Sequence, residues 1–191
     1  RIAEELPLVG FYLQPAVGGR LLPASFWRRF ARIDNVVAIK IAQFHRYRTL
    51  DVVRGVVEAG AEDRVTLYTG NDDHIVLDLL VPFTMRRAGQ EIRVRIKGGL
   101  LGHWSVWTRQ AVGLLQRIHD TVEAGTLDPD LLALDSQVTD CNSAFFDVAN
   151  DFKGCIAGCH EVLRRQGLLE NSACLSAEET LAPGQAAEID R

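Results

Sequence analysis

Four runs of apolar and β-branched residues, each followed by a stretch with helical spacing, constrain this chain more than any other feature. The runs are PLVGFYLQ (7–14), VVAIKIA (36–42), RVTLYTG (64–70) and GGLLGHWSVWT (98–108). The stretches that follow them are PASFWRRFARI (23–33), TLDVVRGVVEAG (49–60), DDHIVLDLLVPF (72–83) and RQAVGLLQRIHDTVEAG (109–125). Pro23 suits a first helical turn, Thr49 is expected to cap the second helix, and Gly60 to end it. VVAIKIA is apolar apart from Lys40, as a strand buried on both faces of a parallel sheet is. Strand–helix repetition of this kind demands a parallel sheet with right-handed crossovers. Four such units make half of a (β/α)8 TIM barrel, which needs about 250 residues. The expected fold class is therefore α/β, with residues 1–125 as half a barrel. A doubly wound open sheet is the structural alternative, but the G-x-G-x-x-G of its first turn is absent.

After Gly125 the strand pattern stops. Residues 126–191 read as a helical tail, from LDPDLLALDSQVTDCNSAFFDVA through FKGCIAGCHEVLRRQGLL to SAEETLAPGQAAEIDR. One segment interrupts the earlier rhythm. In TMRRAGQEIRVRIK (84–97), Ile92, Val94 and Ile96 alternate with Arg93, Arg95 and Lys97, which predicts an amphipathic hairpin. It lies between a helix and the next strand, on the side opposite a barrel's active-site face. Such a basic hairpin reads as a solvated surface or as a contact with another subunit.

Composition removes several classes of function. The net charge of -4 and isoelectric point near 5.7 argue against nucleic acid as a partner. No apolar run reaches the roughly 18 residues of a membrane span, and RIAEELPL lacks a signal-peptide core, so a cytoplasmic protein is expected. Without a secretory signal, Cys141, Cys155, Cys159 and Cys174 are not expected to form a disulfide framework. Cys155, Cys159 and His160 form C-x3-C-H. However, Cys155 and Cys159 share one face of a predicted helix, and a zinc site calls for four spaced ligands, so no metal is expected.

The reactive groups of a parallel barrel sit at the C-terminal ends of its strands. Lys40 stands near that end of VVAIKIA, Tyr12 near that end of GFYLQP, and Gly70-Asn71-Asp72-Asp73 follow VTLYT. A buried ammonium group is costly; it shifts its pKa downward or pairs with a carboxylate. The first outcome makes a lysine nucleophilic, and an adjacent tyrosine can then relay protons. The second outcome makes it structural, as a tyrosine at such a position is when it belongs to the core.

FYLQP at 11–15, VVAIK at 36–40, LYTGNDD at 67–73 and GGLLGHWSV at 98–106 together resemble the dihydrodipicolinate synthase/N-acetylneuraminate lyase family. The similarity runs over about residues 7 to 125 and includes the 28-residue step from Tyr12 to Lys40. The resemblance implies a class I aldolase or lyase on a (β/α)8 barrel, of which this chain supplies about the last four units plus C-terminal helices. Lys40 would form an imine with pyruvate or a related 2-oxo acid, and Tyr12 would pass protons to and from the intermediate. An aldehyde would be the second substrate, no cofactor would be required, and the protein would be a homo-oligomer, tetramer or dimer. Gly70, Asn71 and Asp72, in place of the family's S-G-D-D-like turn, would bind substrate.

The departures are specific. Synthase-type members carry an arginine five residues after the tyrosine; Val17 stands there. Arg46, in the QFHRYRT loop, is the expected replacement clamp for a substrate carboxylate, since guanidinium suits carboxylates. Ile41 replaces the glutamate that usually follows the lysine, and His103 with Trp104 is expected to pack in the core. The family's first four units are missing, and the expectation is a fragment of a longer protein, inactive alone. The alternatives are a sugar-acid dehydratase of the same family and a non-catalytic barrel relative that binds or regulates.

Overall fold

A computed structural model describes residues 1–191. After a short helix α1 (Ile2–Glu5) come β1 (Leu8–Leu13), α2 (Ala24–Ala31), β2 (Val36–Ala42), α3 (Arg46–Ala59), β3 (Thr66–Thr69) and α4 (Ile75–Leu80). A hairpin of β4 (Phe83–Arg87) and β5 (Gln90–Val94) leads to β6 (Ile96–Gly99). Helices α5 (Gly102–Val106), α6 (Thr108–Ala124), α7 (Pro129–Phe146), α8 (Cys155–Arg165) and α9 (Gln185–Asp190) complete the chain. The expected mixed α/β class is what forms. Four parallel strands lie in the order β1-β2-β3-β6, and the hairpin is a separate antiparallel pair.

The sheet is covered on one side. Tyr12, Ile39, Ile41, Leu67 and Ile96 pack with Trp27 of α2, Val52 and Val56 of α3, Ile75 and Leu79 of α4, and Ile118 of α6. On the other face, Val9 and Phe11 remain 58% and 49% exposed. Parallel sheets are ordinarily buried on both faces, so an uncovered apolar face is unusual for this class. The two outer strands, β1 and β6, also keep one edge unpaired.

Local chemistry explains most boundaries. Gly60 ends α3 in the left-handed conformation at φ 69, with its N–H turned back to the Val56 and Val57 carbonyls. Asp128 caps α7 by accepting from the Asp130 N–H, and Pro129 takes the first helical position. Between β4 and β5, Ala88 and Gly89 both have positive φ, 50 and 82, as a two-residue hairpin turn of the right twist requires. Arg87 reaches Val57 O and Glu62 ahead of β3, which puts this basic hairpin at the N-terminal end of the strands.

Several expected boundaries move. The segment 98–108 is not a strand: β6 ends at Gly99, and 102–106 is helical with His103 and Val106 facing inward. A short continuous apolar run does not reveal its period, and here spacing by three prevails over alternation. Thr49 does not cap α3. That helix starts three residues earlier at Arg46, after Phe44 turns through φ 49 with its N–H bonded to Asn71 Oδ1 at 2.9 Å, and Thr49 is buried inside it. The helix expected over 72–83 keeps only 75–80, because Phe83 joins the hairpin. The hairpin expected over 84–97 spans 83–94, and Ile96 begins the fourth strand of the main sheet. Of 176–191, only 185–190 is helical.

Candidate functional site

The β-strand's alternation decides which side chains meet. Lys40 pairs with Phe11 on one side and Tyr68 on the other, so these three share the uncovered face. Its Nζ lies 4.3 Å from the centre of the Phe11 ring, over the aromatic face. Gly70 continues this face two residues after Tyr68. A Cβ there would fall 2.8 Å from Lys40 Cε and 2.7 Å from Ala42 Cβ, so only glycine leaves room for the lysine stem. Burial lowers the Lys40 pKa, and the negative charge of Asp72 acts in the opposite sense.

Asp72 is 9% exposed. Burial pushes its carboxyl up to about 6, against the pull of the His103 and Gly102 N–H groups and of the Lys40 charge. The His103 N–H donates to Asp72 Oδ1 at 3.1 Å. Asn142 fixes this corner from α7, donating to the Asp72 carbonyl at 2.7 Å and accepting from His103 Nδ1 at 2.6 Å. His103 is buried, as core packing requires, and burial holds its pKa down, so the neutral ring serves as a donor. Asp72 also lines an apolar cavity of about 280 Å³ with Phe44, Asn142, Phe146 and Phe152.

Tyr12 does not belong to this site. Alternation puts it on the helix-covered face, where it is 1% exposed and packs 4.9 Å from Trp27. Its hydroxyl donates to the Leu22 carbonyl at 3.1 Å and accepts from the Leu22 N–H at 3.0 Å. The 28-residue spacing is compatible with neighbouring strands, but the register sets Phe11, not Tyr12, opposite Lys40. A pairing of Tyr12 with Lys40 across one pocket is therefore corrected to a structural role for the tyrosine.

Arg46 and Asn71 stand in a second cleft of about 250 Å³, lined also by Phe44, Thr49, Asp73, His74 and Asp78. Arg46 is not a free anion clamp. It forms an ion pair with Asp78, a carboxylate whose side chain is 0% exposed and which also accepts from Thr69 Oγ1 at 2.6 Å and Asn71 Nδ2 at 3.0 Å. A buried carboxylate needs such partners, and so its demand outranks that of a diffusing ligand. The expected site residues thus divide into Lys40 and Gly70 at the open face, Asp72 buried in the turn after β3, Arg46 and Asn71 around Asp78, and Tyr12 in the core.

Asp78 and Phe11 are the residues that pattern reading missed. Asp78 is a single acid in an apolar helix, and its signal is only that an isolated carboxylate facing a core must find donors. Phe11 needed the register. Cys155 and Cys159 occupy one face of α8, and the neighbouring Cys159 thiol lowers the Cys155 pKa. No group of three or more His, Cys, Asp and Glu side chains is arranged to hold a metal ion, and no helix is long and apolar enough to cross a membrane. Set against models of protein families and against curated proteins, the chain matches none of them.

Proposed function

We propose that this chain is the Schiff-base half of a (β/α)8 aldolase or lyase similar to the dihydrodipicolinate synthase/N-acetylneuraminate lyase family, acting on pyruvate or a related 2-oxo acid. The observation that carries this reading is the placement of Lys40. Its amine is desolvated enough to lose its proton more readily than a free lysine, and it faces the uncovered side of the sheet over a glycine. A neutral amine attacks a ketone carbonyl, and the protonated imine formed on loss of water draws electrons from the adjacent carbon.

The barrel half of the proposal draws on topology. Sequential strand order with the helices on one face is the arrangement of a barrel; a doubly wound sheet reverses its order and carries helices on both faces. The open edges of β1 and β6 and the uncovered face carrying Phe11, Lys40 and Tyr68 are what four further parallel strands would close. A non-catalytic relative is the second reading, favoured by the diversion of Tyr12 to the core and of Arg46 to Asp78.

Imine trapping separates the two. The chain, together with the remaining half of the barrel, is incubated with pyruvate and sodium borohydride, and its intact mass and peptide map are measured. The sequence holds three lysines, Lys40, Lys97 and Lys153, and only Lys40 is partly buried. The catalytic reading expects one reduced adduct on Lys40 that disappears in Lys40→Ala. No adduct, or one spread over Lys97 and Lys153, would leave the non-catalytic reading.

A further inference from the structure

An imine on Lys40 needs a group that takes and returns a proton, and the tyrosine expected to do so is committed to Leu22 on the other side of the sheet. Asp72 is the carboxyl group whose charge acts on Lys40. Resting on the Schiff-base reading above, we propose that Asp72 is the proton-transfer residue of this site, removing the proton from the carbon next to the imine of a Lys40-bound 2-oxo acid.

Three observations converge on it. Asp72 lies in the turn after β3, two residues beyond Gly70, whose absent Cβ leaves room for the Lys40 stem, and it is close enough to Lys40 for the two charges to act on each other. Its Oδ1 is held by the His103 N–H, and its backbone carbonyl by Asn142, so the carboxyl is fixed in direction rather than swinging in solvent. It opens on the apolar cavity between Phe44, Phe146 and Phe152, where a carboxylate is poorly hydrated and hence more basic. The titratable groups acting on it are Lys40 from β2, Asp73 from its own loop, and Cys155 and Cys159 from α8; Lys40 is the only cation. With burial holding the carboxyl near 6, it is largely ionised at neutral pH and close enough to neutrality to exchange a proton in either direction.

The step balances without any redox partner. The C3–H bond of the iminium breaks and its proton passes to the Asp72 carboxylate. The C3–H electron pair becomes a C2–C3 double bond as the C=N pair settles on the Lys40 nitrogen, giving a neutral enamine. Reversal in deuterated water leaves deuterium on C3, so exchange of the pyruvate methyl protons, read beside borohydride trapping of the imine, reports this step.

The test measures that exchange by proton NMR alongside borohydride trapping, in the unaltered chain and in Asp72→Asn, Tyr12→Phe and Lys40→Ala, each together with the remaining half of the barrel. The amide introduced by Asp72→Asn retains an oxygen for the His103 N–H, and removing the negative charge favours the free amine of Lys40. Trapping is therefore expected to persist in Asp72→Asn while exchange falls by about a hundredfold, the lower range for a lost acid–base group. Tyr12→Phe is expected to exchange like the unaltered chain. Exchange undiminished in Asp72→Asn, or lost in Tyr12→Phe, would overturn the assignment. Absence of trapping in the unaltered chain would instead overturn the Schiff-base reading on which it rests.

Discussion

Lys40 and Asp72 carry opposite charges in surroundings that penalise both. Burial drives the ammonium pKa down and the carboxyl pKa up to about 6, and each charge partly offsets the shift of the other. For Asp72 the direction has a consequence for stability. Between its ordinary 3.8 and about 6, the folded chain keeps a proton that the unfolded chain has lost. Stability from this group is complete below about 3.8 and falls as pH rises through about 6. The difference between 3.8 and about 6 corresponds to about 3 kcal/mol, at about 1.4 kcal/mol for each tenfold change in proton affinity. Asp72→Asn cannot titrate, so between about pH 4 and pH 7 it should lose about 3 kcal/mol less than the unaltered chain does in urea unfolding. Parallel pH profiles for the two proteins would show that the carboxyl is not desolvated.

At the scale of elements, the crossing of α2 and α3 is governed by one missing side chain. Gly55 lies mid-helix in α3, where glycine ordinarily weakens a helix by about 1 kcal/mol relative to alanine. A Cβ there would stand 2.5 Å from Trp27 Cβ, 2.8 Å from the Arg28 backbone N and 2.9 Å from the Ala24 carbonyl oxygen. Two of those atoms are backbone, so the helices must separate, and Trp27 lies against Tyr12 beneath β1. Overpacking of this kind costs roughly 1–3 kcal/mol, which outweighs the gain in helix propensity. Gly55→Ala should therefore lower the thermal midpoint, by several degrees; a raised midpoint would mean that the contact yields freely. The same scale explains why 98–108 defied its pattern. His103 and Val106 point inward from a helix that the Asp72 carboxyl and Phe146 receive, and both partners come from distant parts of the chain.

The whole molecule is asymmetric: one face of its sheet holds the core, and the other carries exposed Val9 and Phe11 beside half-buried Lys40 and Tyr68. Exposed apolar surface of this size attracts partners or dyes. We expect 8-anilinonaphthalene-1-sulfonate to fluoresce strongly with the folded chain, and the Val9→Lys/Phe11→Lys double variant to lose most of that signal at unchanged unfolding free energy. Retained fluorescence would place the dye elsewhere, for example at the Phe44–Phe152 cavity. The open face also explains why Lys40 occurs in an otherwise apolar strand. Its side chain projects away from the core, with Nζ over the Phe11 ring and its stem beside Gly70.

The order of strands and helices, the bounds 36–42 of the lysine strand, the stop at Gly60 and the basic hairpin were legible in the residues themselves. Each depends on local chemistry: β-branched runs, a left-handed glycine, alternating charge. So was the isolation of Lys40 among apolar neighbours. What lay opposite it was not. Tyr12 and Phe11 are adjacent in sequence and point to opposite faces, and a single step of register between β1 and β2 selects which one meets the lysine. Arg46 reads as a free clamp until Asp78, 32 residues later, takes its charge. Asp72 reads as one acid in a polar turn until α5 and α7 close over it. Sequence determined most of the segments that form and where a lysine stands among apolar neighbours along them. Tertiary structure alone decided its neighbours, because faces, registers and burial are set by contacts between segments far apart in the chain.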